Sequence, residues 1–246
     1  SAPNFKWFLL LILMVSGWEW ANFARLQPLG RIAYASGLGA LFFVSSDFLV
    51  PWLVAAVLWW VTALWLIVQY PSQSARWQRP DVIGLIGVVT LIPCGASLVW
   101  LKAQSDAATV LLLLLVLIWA ADIGAYFVGR RFGQRKLLPN VSPGKSVEGL
   151  VGGLVIAVIV GFATLELMAK VDGRALGYAG WLLLFLGIGL ISVLGDLTLS
   201  MFKRSRGIKD SSQLLPGHGG FLDRLDSVFS AAPIYCGLLY LTASLK

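Results

Sequence analysis

Charge is what this chain lacks most. Only 13% of its 246 residues are Asp, Glu, Lys or Arg, while 58% are apolar. An ordinary soluble domain carries roughly 25% charged residues. A chain this poor in charge is excluded from that class, and lipid is left as its solvent. Histidine is nearly absent, with His218 the single example. Cysteine is limited to Cys94 and Cys236, both in apolar runs and without CxxC spacing. A zinc site therefore has no ligand set to draw on, and the two thiols read as buried. Low-complexity segments and a second domain are also missing. The chain has no initiator Met, and Ser1-Ala2-Pro3 looks like a processed or added end.

What is there is a succession of eight apolar stretches, at about 5–24, 32–46, 48–70, 82–101, 107–129, 149–170, 177–201 and 225–245. Most reach the ~20 residues that a spanning helix needs. The second is short and runs into the third through Ser45, Ser46, Asp47 and Pro51, so those two are expected to form a tight hairpin or one imperfect pair. The first carries Trp18, Glu19 and Trp20, too polar for a cleavable signal core, and reads as a real helix. The predicted fold class is an all-α, polytopic integral membrane helix bundle with about eight transmembrane helices.

The few charges are unevenly placed. Loops joining the first to second, third to fourth, fifth to sixth and seventh to eighth stretches hold 14 of the 19 Lys and Arg. The intervening loops hold only Lys102, Lys170 and Arg174. This alternation places the basic loops in the cytoplasm. A net charge of +7 is thereby explained by topology and anionic lipid, with no nucleic-acid partner required.

The whole chain, 1–246, reads as one integral membrane domain. Residues 1–115 are apolar helices with weakly charged loops and read as scaffold. Residues 116–230 hold nearly all the intramembrane acids and two polar loops, 130–147 and 202–224, and read as the catalytic half. Asp122 lies inside one spanning helix and Asp196 near the cytoplasmic end of another. An acid facing lipid costs a few kcal/mol, so both should face the bundle interior. A helix–helix hydrogen bond or a pair with Arg130 is the plain alternative for Asp122. Asp196 and Ser200 are four apart and share a helix face. Asp223 and Asp226, three apart at the start of the last helix, share another, with N-terminal capping as the plain alternative. Asp196, Asp223 and Asp226 together supply the carboxylates that a magnesium ion favours beside substrate phosphates.

The stretch Ser200 to Asp226, SMFKRSRGIKDSSQLLPGHGGFLDRLD, concentrates charge and turn residues between two apolar runs. Its basic groups suit phosphates. Gly219 and Gly220 would let backbone N–H groups approach them. His218 fits a general acid, a metal ligand or a turn residue equally. The loop SPGKSVEG contains Lys145 in a GKS string, but the Walker spacing is absent, since position 139 is Pro. Lys145 suits either a phosphate contact or positive-inside charge. Acids, bases and glycines in this arrangement point to phosphoryl or nucleotidyl chemistry at a bilayer surface.

Ser200, Lys203-Arg204, Lys209-Asp210, Pro216, His218-Gly219-Gly220 and Asp223-Arg224-Leu225-Asp226 resemble the signature of the phosphatidate cytidylyltransferases, or CDP-diglyceride synthases, without departure over 27 positions. The likeness extends to Gly195-Asp196-Leu197, Ser142-Pro143, Lys145-Ser146, Asp122 with Ala125-Tyr126, and Trp18-Glu19-Trp20. The resemblance implies that CTP and phosphatidate react to CDP-diacylglycerol and pyrophosphate. It implies magnesium with a second cation, K+, in the site, and a homodimer in the bacterial cytoplasmic membrane with its site on the cytoplasmic side. Asp196, Asp223 and Asp226 would hold metal. Asp196, Asp223, Lys209 and His218 would be catalytic. Lys145, Ser200, Lys203, Arg204, Lys209, Arg224, Gly219 and Gly220 would meet substrate phosphate. Asp122 and Tyr126 are further intramembrane polar groups of the likeness. Bacterial members resemble a nine-helix protein, so a first helix is expected to be missing here. A CTP-dependent polyprenol or phytol kinase, and an anion transporter, are the competing readings.

Overall fold

The computed structural model describes residues 2–168 and 176–244. Lys170 and Arg174, two of the basic residues used for the topology, lie outside the described residues, as do Ser1 and Lys246. Eight α-helices follow one another: α1 (Ala2–Phe23), α2 (Pro28–Ser45), α3 (Leu49–Val68), α4 (Pro80–Lys102), α5 (Ala107–Phe132), α6 (Val147–Met168), α7 (Gly177–Arg206) and α8 (Leu222–Ser244). Each of the eight apolar stretches has become one helix. Local punctuation sets several ends. Pro28 and Pro80 open α2 and α4, where the missing N–H costs nothing. Gly207, at φ +75°, stops α7: its N–H donates to the Arg204 carbonyl at 3.0 Å, and that of Ile208 to the Lys203 carbonyl at 2.9 Å.

Among the described residues, six helices are long and apolar enough to cross a membrane: α3, α4, α5, α7, residues Val147–Leu167 of α6 and Leu222–Thr242 of α8. The chain is a polytopic membrane protein. Helices α1 and α2 fall outside that set. Trp18, Glu19 and Trp20 interrupt the apolar character of α1, and α2 is only 18 residues long, with Arg31 in its first turns.

The bundle is all-α as expected, with one addition among the described residues: Lys136–Leu138 (β1) and Ser142–Ser146 (β2) form a short antiparallel hairpin. Pro139 and Pro143 cannot continue a helix, and buried Val141 anchors the turn. Against expectation, helices α2 and α3 do not make a paired hairpin. A three-residue turn joins them, but α2 packs on α1, while α3 packs on α4, α7 and α8. Elsewhere α5 and α6 lie side by side, and α8 is held between α4 and α7. Gly124 and Gly153 permit the α5–α6 approach, since a Cβ on Gly124 would stand 3.1 Å from the Gly153 Cα.

An aromatic nest fixes the C-terminal end of α7. Phe202 packs against Trp20 (5.2 Å between centroids), Trp77 (5.1 Å, edge-on) and Phe23 (6.0 Å, stacked). The Trp20 Nε1–H donates to the Ile83 carbonyl at 2.8 Å, tying α1 to α4. With 30 residues, α7 is about 45 Å long, which exceeds the ~30 Å hydrocarbon thickness. Its last turn carries Lys203, Arg204 and Arg206, so the excess length ends in charge.

Candidate active site

Asp122 of α5, Asp196 of α7 and Asp226 of α8 interact where those helices meet, and Asp223 lies one turn before Asp226 on α8. On α7, Asp196 pairs with Lys145 of β2 at 2.6 Å and accepts a hydrogen bond from Ser200 Oγ at 3.2 Å. The i, i+4 face read from the sequence is thus formed. Gly195 lets α8 come against α7 here, because a Cβ on it would collide with the Asp226 carbonyl and Ser230 Oγ. Ser230 Oγ donates to the Ile191 carbonyl at 2.7 Å and fastens the same crossing. Asp226 therefore lies within electrostatic reach of Asp196, Asp122 and Lys203. Asp122 interacts in turn with Lys145 and Asp196.

A cavity of about 490 Å³ opens among these groups, lined by Asp122, Tyr126, Arg130, Lys145 and Asp196 together with Gly129, Gly144 and Gly149. Arg130 does not pair with Asp122. Its Nη1 donates to the Tyr126 hydroxyl at 3.0 Å. At the base of the hairpin, Glu148 accepts the N–H groups of Gln134 and Arg135, each at 3.1 Å, and Ser146 Oγ accepts the Gly149 N–H at 3.1 Å. These bonds set the angle at which Lys145 enters the cavity.

Asp223, in the first turn of α8, is the most heavily bonded of the four. Oδ1 meets Lys203 Nζ at 2.7 Å. Oδ2 accepts the N–H groups of Ser211 (2.8 Å) and Gly220 (3.1 Å) and lies 3.1 Å from the Ser211 hydroxyl, whose one proton it shares with Glu19. Its side chain is only 8% exposed. Asp223 and Asp226 thus diverge in partners, the first toward the loop and the second toward Asp196.

The remaining residues of the signature face outward or hold the loop. Lys209 is exposed and makes no hydrogen bond or ion pair among the described residues. Arg204 Nε donates to the Val141 carbonyl at 3.4 Å, joining α7 to the hairpin. The exposed His218 sits in a tight turn: its Nδ1 is 3.1 Å from the Pro216 carbonyl oxygen, and its own carbonyl accepts Arg224 Nη2. Leu215 N–H donates to the Gly219 carbonyl at 3.0 Å, closing that turn, and Gly217 and Gly219 both have positive φ. Gly220 directs its N–H at Asp223, so it serves the protein itself in this arrangement.

One acid was overlooked as a site residue. Glu19 of α1 is fully buried and reaches across to the 211–222 segment, where both of its carboxylate oxygens accept hydrogen bonds. Its signal was the one used for Asp122, a charge inside an apolar run. Asn22, one turn further on, donates to the Ser211 carbonyl at 3.2 Å and accepts Arg206 Nε on its own carbonyl at 3.1 Å.

The donor set suits a hard divalent cation, which takes carboxylate oxygens and keeps waters and phosphate oxygens. Among the described residues, however, no three acids converge as a ready metal cage. Lys145 and Lys203 neutralise Asp196 and Asp223 instead. The site can therefore hold anions beside the lysines and a cation beside the acids, provided an ammonium group moves aside.

The Cytidylyltransferase family model matches residues 3–242. A phosphatidate cytidylyltransferase of Haemophilus influenzae is 42% identical over 240 residues, covering 89% of this chain and 83% of that protein. One from Pseudomonas aeruginosa is 43% identical over 249 residues, covering 96% of this chain and 88% of that protein. A shorter match, 46% over 127 residues, links half of the chain to a phosphatidate cytidylyltransferase of Bacillus subtilis.

Proposed function

The chain belongs to the cytidylyltransferase family, and from that premise we propose that the acids at the α5–α7–α8 junction join CTP to phosphatidate. It is a phosphatidate cytidylyltransferase, a nucleotidyltransferase of phospholipid biosynthesis. A phosphatidate oxygen forms the new bond to the α-phosphorus of CTP. The bond to the β-phosphate oxygen breaks, and pyrophosphate leaves with that electron pair. The observation that carries this reading is the pairing of two lysines with two acids, Lys145–Asp196 and Lys203–Asp223, at the end of a helix longer than the bilayer is thick.

Both substrates are anions, so the site must neutralise charge and align the attack. Lys145 and Lys203 are the groups that exchange a carboxylate for a phosphate when substrate enters. Arg204 and Lys209, on the same rim, add charge for the triphosphate. Asp196 and Asp226, with Asp122 nearby, are the acids that would hold magnesium, and Asp223 would be a further carboxylate for it if Lys203 were paired with phosphate instead. A divalent ion there would draw negative charge from the transferring phosphoryl group and the leaving pyrophosphate. The phosphatidate phosphate is already ionised near neutral pH, so no strong general base is needed. His218 then acts through its turn, holding Arg224 on its carbonyl.

The positive-inside distribution supports a cytoplasmic site and eight crossings, with α1 and α2 completing the six more apolar helices. Phosphatidate would keep its acyl chains in lipid while its headgroup meets CTP from water. The test is a magnesium-dependent assay of purified protein with CTP and phosphatidate. Formation of CDP-diacylglycerol and pyrophosphate in equal amounts is expected. Pyrophosphate without nucleotide in the lipid would contradict the proposal.

A further inference from the structure

Glu19 is an ionisable residue in the middle of a fully packed region, and its carboxylate has four partners. Oε1 accepts the Phe221 N–H at 2.8 Å and the Ser212 hydroxyl at 2.5 Å. Oε2 accepts the Leu222 N–H at 2.7 Å and the Ser211 hydroxyl at 3.0 Å. Phe221 immediately precedes α8 and Leu222 opens it, where backbone N–H groups have no partner within the helix. Glu19 supplies those partners from 202 residues away. Ser211, 1% exposed, also touches Asp223 Oδ2 through its hydroxyl at 3.1 Å and its N–H at 2.8 Å. A continuous path runs from Glu19 through Ser211 to Asp223 and on to Lys203.

We infer that Glu19 is a positioning residue for the reaction: its two oxygens clamp the 211–222 segment so that Asp223 and Lys203 stand at the α7–α8 junction. The chemistry requires a carboxylate, because each oxygen takes one backbone N–H that can only donate. In Glu19→Gln, one of those N–H groups would face a carboxamide NH2, donor against donor. The serine hydroxyls can rotate to accept, but the backbone amides cannot. Gly220 marks how closely the clamp is drawn, since a Cβ there would lie 3.0 Å from Glu19 Oε1 and 2.8 Å from the Ser212 nitrogen. The inference rests on the functional reading above only for its activity readout.

The experiment compares wild type, Glu19→Gln, Ser211→Ala and the double variant as purified protein. It measures kcat with CTP and phosphatidate, thermal midpoint, and peptide-resolved hydrogen exchange. Glu19→Gln should lose about tenfold or more in kcat while still folded at the assay temperature. Exchange should accelerate in residues 209–222 and stay slow in α4 and α5. Ser211→Ala should also lower kcat, and the double variant should be no slower than Glu19→Gln alone, because both changes cut one path. Should Glu19→Gln fail to fold, Glu19→Asp, which keeps the charge but shortens the reach to the Phe221 and Leu222 N–H groups, still reads the clamp, and wild-type kcat and exchange there overturn the inference. Wild-type kcat and exchange in Glu19→Gln, or multiplicative losses in the double variant, would do the same. Faster exchange throughout the bundle, with kcat falling only as folded protein is lost, would make Glu19 structural alone. A wild-type chain inactive toward CTP and phosphatidate would instead overturn the functional reading, and the exchange data would still judge the clamp.

Discussion

At the scale of single residues, the four acids divide by what else they hold. Among the described residues Asp196 is bonded to Lys145 and Ser200, so Asp196→Asn removes charge and disturbs few other bonds. It should cost more than about tenfold in turnover, or roughly 1.4 kcal/mol of barrier, with the thermal midpoint nearly unchanged. Turnover above a tenth of wild type would remove Asp196 from the essential set. Asp223→Asn should abolish turnover and also lower the midpoint, because an Asn amide would oppose Lys203 while Ser211 and Gly220 still need an acceptor. Among the basic groups, Lys209→Ala and Arg204→Ala should each lose about tenfold. Arg206 holds only the Asn22 carbonyl, so Arg206→Ala should change turnover little. Equal modest losses at all three would mean diffuse attraction to anionic lipid instead of phosphate contacts. The cost of a charge in lipid made Asp122 and Asp196 legible in the sequence. The same rule applied to Glu19, but its partners lie some 190 positions away, and no local pattern announces them.

At the scale of elements, the apolar runs located each helix but not every end: α7 continues past its run, which stops at 201, to Arg206, where Gly207 ends it. The hairpin was not readable. Strands of three and five residues carry no usable period, and its register is set by buried Val141 and by Glu148. The glycines of the 207–221 loop were visible, though their separate duties were not. Gly217 has φ +73° and open space around it, whereas Gly220 has neighbours that a Cβ would strike. Gly217→Ala should therefore cost only the left-handed backbone penalty, about 1–2 kcal/mol, and keep most activity. Gly220→Ala must push Ser211 or Glu19 aside and should lower both thermal midpoint and turnover. A Gly220→Ala protein as active as Gly217→Ala would show that the loop is looser than its hydrogen bonds indicate.

At the scale of the whole molecule, composition and charge alternation were enough for a polytopic membrane protein, because both follow from the solvent and not from packing. Which helices touch was less accessible. Separating α2 from α3 depends on α1 and α4 offering better faces, and a linear sequence does not show that. The proposed topology predicts that single cysteines at positions 175 and 213, in a background whose two native thiols are buried, label from opposite sides of the membrane. Labelling from one side would contradict eight crossings. The proposed transfer of a cytidylyl group to lipid phosphate at the junction of α5, α7 and α8 is read most directly by incubating purified wild type and Asp196→Asn with phosphatidate and CTP labelled at either the α- or the γ-phosphate. Wild type should put α-label in lipid and γ-label in pyrophosphate, and the variant should make neither transfer. Label from the γ-phosphate in lipid, or undiminished transfer by Asp196→Asn, would contradict that role for the site.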